Sequence, residues 1–246
     1  MAAPATFVLV PGAWLGAWAW REVAAELRAA GHTVYPLSLT GLGERAAEAG
    51  PGADLETHIA DITGLLEKED LREAVLVGHS YGAFPVTGAA DRAHERLSHV
   101  VYLDAAPAPD GMRVVDLFDP DTAAAMEATA AANGGTLPMP SWEQVGKDSS
   151  LTGLGEAERA AIRREAVPHP YASYLQPLRL SHAEPPGVRR GLVVCDDVRQ
   201  LLAADIPMLA HLKGPEWPRR DIDTGHWPMF SRPAETAAAL ADLAAS

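Results

Sequence analysis

Four apolar residues, Ala74-Val75-Leu76-Val77, run directly into Gly78-His79-Ser80-Tyr81-Gly82 and then into an alanine-rich stretch with helical spacing. A buried strand that must become a helix within five residues has few backbone routes available. The two glycines let the chain turn sharply and crowd neighbouring elements without a Cβ clash. The turn pushes the serine out above the strand, at the N-terminus of the next helix. There the free N–H groups and the helix dipole favour developing negative charge. The stretch therefore predicts a nucleophile turn with Ser80 at its apex, although the bare G-x-S-x-G pattern also occurs at ordinary strand-to-helix turns.

The same alternation runs through much of the chain. Strands are predicted over residues 7–10, 33–39, 74–77 and 100–104, and helices over 18–30, 55–69 and 82–96, from apolar runs and 3.6-residue periodicity respectively. Strands separated by helices imply an α/β class with a mostly parallel sheet flanked by helices on both faces. Ligands of such sheets sit beyond the carboxyl ends of the strands. From residue 107 to 186 the rhythm breaks into prolines, glycines and short helical pieces at 122–132 and 156–166. This stretch is read as a cap inserted into a core made of residues 1–106 and 187–246. The rhythm resumes with a strand at 191–195, a helix at 198–212, a strand at 219–222 and a closing helix at 233–245.

Hydrophobic residues make up 48% of the 246, enough for a sizeable core, so a disordered chain is excluded. The net charge of −13 comes with no basic run, which argues against nucleic acid and anionic membranes and leaves a small-molecule substrate as the expected partner. The single cysteine, Cys195, cannot form an intramolecular disulfide. The first residues carry no basic side chain, and the apolar run 7–10 stops at Pro11-Gly12. A cytoplasmic location is the expectation. There is no His-x-x-x-His or cysteine pair, and no G-x-G-x-x-G or P-loop pattern. No metal and no nucleotide cofactor are expected.

A serine nucleophile needs a base, and the base needs an orienting acid. In this architecture the base sits on a late loop, and His226 in Gly225-His226-Trp227 lies between the last strand and the closing helix. The other histidines fall inside the turn (His79), at element starts, on a helix or in the cap. His79 is expected to point away from the serine hydroxyl. The oxyanion donors are expected to be the backbone amides of Tyr81, which follows the nucleophile, and of Ala13, in the loop Pro11-Gly12-Ala13-Trp14 after the first strand. Trp14 and Trp227 are expected to line an apolar substrate pocket, whereas Trp18 and Trp20 are expected to pack.

Taken together, Phe7-Val-Leu-Val-Pro-Gly-Ala-Trp, Ala30-Gly-His-Thr-Val, Val77-Gly-His-Ser-Tyr-Gly and Gly225-His226 resemble the α/β-hydrolase superfamily. The resemblance is to the branch of plant methylesterases, hydroxynitrile lyases and small bacterial carboxylesterases. It implies an α/β-hydrolase fold and a Ser-His-acid site under a cap. Two departures stand out. Pro11-Gly12 replaces the His-Gly of most relatives, and Gly12 and Trp227 stand where hydroxynitrile lyases carry threonine and lysine, so cyanohydrin cleavage is not expected.

The resemblance leaves the acid open. In the methylesterase branch it lies three residues after a cysteine, which here is Val198, and valine cannot serve. A small loop shift would bring Asp197 into that role. The superfamily's second solution puts the acid at the end of the strand after the nucleophile helix, which here is Asp104. A carboxylate closing an apolar strand needs a partner, and His226 would supply one. Asp104 is preferred and Asp197 is the alternative. The expected activity is hydrolysis of a carboxylic ester, thioester or lactone of a small apolar or aromatic substrate through an acyl-enzyme. The rivals are a non-hydrolytic biosynthetic reaction (lactonisation, elimination or rearrangement) and a small-molecule receptor.

Overall fold

The computed structural model describes residues 3–48 and 52–246. Strands β1 (Thr6–Val10), β2 (Thr33–Pro36), β3 (Ala74–His79) and β4 (Leu97–Leu103) alternate with helices α1 (Arg21–Ala29), α2 (Leu55–Lys68) and α3 (Ala83–Arg92). An inserted segment follows, with α4 (Pro120–Ala132), β5 (Thr136–Leu137), α5 (Trp142–Asp148), α6 (Glu156–Glu165), β6 (His169–Pro170) and α7 (Ala172–Leu175). The chain then returns to β7 (Arg189–Val194), α8 (Asp196–Ala203), β8 (Arg219–Asp221), α9 (Pro228–Ser231) and α10 (Pro233–Ala244). Among the described residues no helix is long and apolar enough to cross a membrane.

The main sheet has six strands in the order β2-β1-β3-β4-β7-β8, with every pairing parallel. Its central strands are buried on both faces, which is why they read as continuous apolar runs. The two-residue period divides them cleanly. Val8, Val10, Leu76 and Val100 face a core shared with Ile59, Ile62 and Leu66 of α2 and Val86 of α3. Phe7, Leu9, Val75, Val77 and Val101 face the opposite core, shared with Val23 and Leu27 of α1 and Leu240 and Leu243 of α10. Each such side chain contributes about 1.5–3 kcal/mol on leaving water. Because every pairing is parallel, the carboxyl ends of all six strands lie on one side of the sheet. The chain moves outward from β1 to β2 and then crosses back to β3, so the crevice expected at a topological switch lies between β1 and β3.

Several element boundaries differ from the sequence-based expectation. The strand expected over 33–39 stops at Pro36. The helix expected over 82–96 ends at Arg92. The helix expected over 198–212 is two pieces, because Asp205 takes a left-handed φ of 49° and a 3-10 turn then starts at Pro207. It also starts two residues early, at Asp196, with Cys195 as its N-cap. Strand β4 starts earlier than residue 100 and ends at Leu103, so Asp104 stands just beyond its carboxyl end with φ 42°. Strands β5 and β6 form a short antiparallel pair inside the inserted segment, with Leu137 opposite His169.

Candidate active site

The sheet register brings the loops after β1, β3 and β4 to one level. Val10 pairs with Gly78, Gly78 with Tyr102, and His79 with Leu103. Ser80 follows β3 directly and holds φ 53°, a conformation that costs a non-glycine residue about 1–3 kcal/mol and that turns the side chain out of the sheet. Gly82 makes the turn possible, because a Cβ there would sit 2.8 Å from the Pro11 carbonyl oxygen and 2.9 Å from that of Val10. Gly12 is equally constrained from the other side, since its Cβ would meet both His79 Nδ1 and Ser80 Cβ at 2.9 Å. The first-strand loop and the serine turn therefore interlock at backbone distance.

His226 follows β8. Its N–H donates to the Ser150 carbonyl at 2.9 Å, and its own carbonyl accepts His79 Nε2–H at 2.8 Å. Its Nδ1–H donates to Asp104 Oδ2 at 2.9 Å. Asp104 is 3% exposed, and its other oxygen accepts the backbone N–H groups of Cys195 and Val198, each at 3.0 Å. Burial pushes the Asp104 carboxyl up, but the His226 bond and charge and the two N–H donors outweigh it and hold the group below the usual carboxylate value. Val198, the position that the sequence resemblance singled out for an acid, thus supplies a backbone hydrogen-bond donor to Asp104.

Asp197 also reaches the imidazole. Its Oδ2 lies 3.2 Å from His226 Nδ1, while Oδ1 accepts the Ser150 N–H at 2.8 Å. Burial is the largest influence on Asp197 and, with the nearby Asp104 charge, raises its carboxyl above the ordinary value. Burial lowers His226, but the Asp104 bond and the charges of both aspartates more than offset it, so its pKa lies above 6.5. One imidazole hydrogen thus faces two carboxylates, with the shorter and better-supported bond going to Asp104. Asp104, Asp197 and His226 are also the one group of possible metal-ligand atoms within 4.8 Å of one another among the described residues. Both Asp104 oxygens and His226 Nδ1 are already committed to N–H···O bonds, so the donor set fits a hydrogen-bonded acid–base pair better than a cation.

The Ala13 N–H has no acceptor among the described residues. Tyr81 lies in the first turn of the 3-10 helix Ser80–Gly82, where N–H groups lack intrahelical partners. A cavity of about 1510 Å³ opens over these groups, lined by Ser80, His226, Asp104 and Asp197 together with Trp14 and Trp227. The inserted segment adds Met112, Met126 and Met139 to its wall. Trp227 packs edge-on against the His226 ring, 4.9 Å between centroids.

Three histidines that sequence position made unremarkable brace this site. His79 Nε2–H holds the His226 backbone through the carbonyl bond given above. Burial, then the His226 charge, press its pKa down to about 3, so it stays neutral. His58 donates from Nε2 to the Thr40 carbonyl at 2.9 Å and accepts the Tyr81 hydroxyl at 2.6 Å. His169 lies 4.4 Å from the Tyr81 ring. Nothing local in the sequence marks the last two, because their partners lie far along the chain.

The profile described as "Alpha/beta hydrolase family" matches residues 7–239. A carbendazim hydrolyzing esterase of Nocardioides sp. (strain SG-4G) is 35% identical over 243 residues, covering 97% of this chain and 99% of that protein. Putative methylesterase 11 of Arabidopsis thaliana is 26% identical over 97% of this chain, which spans 63% of its length. In fold, an extracellular α/β-hydrolase from a Paenibacillus species superposes with a TM-score of 0.84 at 24% identity, over 98% of this chain and 99% of the other. Tomato methylketone synthase I superposes with a TM-score of 0.69 at 21% identity, over 98% of both chains. The all-parallel sheet, the serine turn between β3 and α3 and a profile match over nearly the whole length agree, and the chain belongs to the α/β hydrolase family, with relatives named as esterases.

Proposed function

We propose that this chain is a serine hydrolase of carboxylic esters, acting on a small apolar or aromatic substrate through an acyl-enzyme. The observation that carries the reading is the 2.9 Å bond from His226 Nδ1–H to a buried Asp104, made beside a serine held at φ 53° on the wall of the same cavity. Asp104 keeps the proton on Nδ1, which leaves Nε2 as the lone-pair nitrogen. Nε2 takes the Ser80 hydroxyl proton as Oγ bonds to the ester carbonyl carbon. The Ala13 and Tyr81 amides receive the oxyanion, each worth about 3 kcal/mol in the transition state. Collapse breaks the ester C–O bond, and the leaving alkoxide takes the proton from Nε2–H. Water, deprotonated by Nε2, then attacks the acyl carbon, and the second collapse breaks the acyl–Oγ bond as Ser80 Oγ takes the proton back from Nε2–H, releasing the acid.

Residues 107–186 act as a cap over the serine, and Trp14 and Trp227 bound an apolar pocket beneath it. No nucleic acid or membrane enters the reaction, which fits the charge of −13. A buried free Cys195 suits a cytoplasmic setting. The test is turnover of a short-chain p-nitrophenyl ester by wild type and by Ser80→Ala purified side by side, with carbendazim and simple methyl esters in the same panel because of the relatives' names. Turnover that vanishes in the variant, with label from ¹⁸O-water entering the acid product, supports the reading. Turnover that survives in Ser80→Ala, or none with any ester, overturns it.

A further inference from the structure

Trp14 is held by the inserted segment at three points. Its backbone N–H donates to His169 Nδ1 at 3.4 Å, its carbonyl accepts the Val167 N–H at 3.1 Å, and its indole Nε1–H donates to the Leu137 carbonyl at 2.9 Å. Leu137 and His169 are register partners in the β5–β6 pair, so one small structural unit grips both peptide groups and the side chain of a single residue. Trp14 itself holds φ 66°, a left-handed conformation that a bulky side chain does not adopt unaided. The relaxing motion is a rotation of the Ala13–Trp14 peptide plane, which exchanges the directions of the Trp14 N–H and the Ala13 carbonyl.

His169 is built to oppose that rotation. The Ser173 hydroxyl donates to the Pro170 carbonyl at 2.7 Å, so its oxygen is left to accept His169 Nε2–H at 2.9 Å. With its proton fixed on Nε2, the neutral ring presents a bare lone pair at Nδ1. That lone pair accepts the Trp14 N–H and repels a carbonyl oxygen turned into its place. The imidazole is fully buried and also lies against the ring of Tyr81, 4.4 Å between centroids. One side chain of the inserted segment therefore touches both residues that flank or supply the oxyanion donors.

We propose that His169 is a positioning residue for the oxyanion hole: by fixing the peptide on the carboxyl side of Ala13 it holds the loop backbone in the conformation in which the Ala13 N–H, on the adjoining Gly12–Ala13 peptide, is left without a protein acceptor among the described residues and open to substrate. This rests on the reading of Ala13 as an oxyanion donor. It follows that the hole is complete only while the β5–β6 pair is seated on the first-strand loop.

The test uses His169→Leu, which removes the acceptor, His169→Asn, whose side-chain oxygen can return it near Nδ1, and Ser173→Ala, which frees the ring tautomer without a large cavity. Turnover of the p-nitrophenyl ester is normalised to the Ser80 labelled by a fluorophosphonate. His169→Leu is expected to lower kcat about 10–100-fold with KM changed less than about threefold, and to weaken binding of an alkyl boronic acid, a transition-state mimic, by a similar factor. His169→Asn should recover most of the loss, and Ser173→Ala should show a smaller fall in kcat. Backbone hydrogen exchange in the segment 11–16 should quicken in His169→Leu. If His169→Leu does not fold, Ser173→Ala alone decides through its kcat. Wild-type kcat per labelled serine, or a change in KM alone, overturns the proposal. A wild-type chain that turns over no ester overturns the hydrolase reading instead, so the two failures are distinguishable.

Discussion

Replacing Asp104 with asparagine changes one atom and, by the hydrogen bonds around it, the wrong one for catalysis. In the native site Oδ1 accepts the Cys195 and Val198 N–H groups at 3.0 Å each, and Oδ2 accepts His226 Nδ1–H at 2.9 Å. Two backbone donors fix where the asparagine carbonyl oxygen must go, because an amide NH2 there would meet N–H groups head on. The NH2 then faces His226 Nδ1. A donor facing a donor drives the imidazole to its other tautomer, with the proton on Nε2, where it can no longer accept from Ser80. Charge alone would not predict the ranking of the two aspartates. At 2.9 and 3.2 Å, and an effective dielectric of about 20, they attract an imidazolium by about 6 and about 5 kcal/mol respectively. Tautomer control separates them. Asp104→Asn is expected to lower kcat about 10³-fold, or about 4 kcal/mol, with Asp197 preserving part of the correct tautomer. Asp197→Asn should cost less than about tenfold, and the double variant should fall about another tenfold below Asp104→Asn. The assay is steady-state ester turnover normalised to fluorophosphonate-labelled serine, with circular dichroism to confirm folding. Near-native activity in Asp104→Asn together with a loss of orders of magnitude in Asp197→Asn would refute the reasoning.

Because His226 is held above 6.5 by the two carboxylates against its burial, kcat/KM should rise with pH through a midpoint above 6.5, and Asp197→Asn, which removes one charge favouring the imidazolium, should move that midpoint to lower pH; an unmoved midpoint in a pH-rate profile contradicts this. Asp104 titrates below the ordinary carboxylate range, so its contribution to stability is present above about pH 4 and fades as pH falls through its folded value; the gap in urea midpoint between wild type and Asp104→Asn should narrow accordingly on acidification. Gly12→Ala would push a methyl against His79 and Ser80 at 2.9 Å, and is expected to cost about 1–3 kcal/mol in thermal unfolding and to slow fluorophosphonate labelling of Ser80.

What the sequence discloses about this site follows from how far apart the interacting residues lie. The serine turn is legible because strand, glycines, serine and helix are contiguous, and burying β3 on both faces demands an unbroken apolar run. The placement of Asp104 at a strand end is legible for the same reason, since a carboxylate closing Val101-Tyr102-Leu103 has to find a donor. The donors themselves are not legible. Cys195 and Val198 offer backbone N–H groups only because α8 starts at Asp196, two residues before the apolar periodicity suggests. That shift also puts Asp197 on His226, so the approach of both aspartates to one imidazole is a consequence of where one helix begins. His79, His58 and His169 show the same limit more sharply. A neutral buried histidine is defined by which nitrogen carries the proton, and that is set by carbonyls and hydroxyls at Thr40, Ser173 and His226, not by its neighbours in the chain. Local sequence thus specifies the groups proposed to react, whereas the groups that hold them in register are specified by contacts that exist only after the inserted segment and the sheet have packed together.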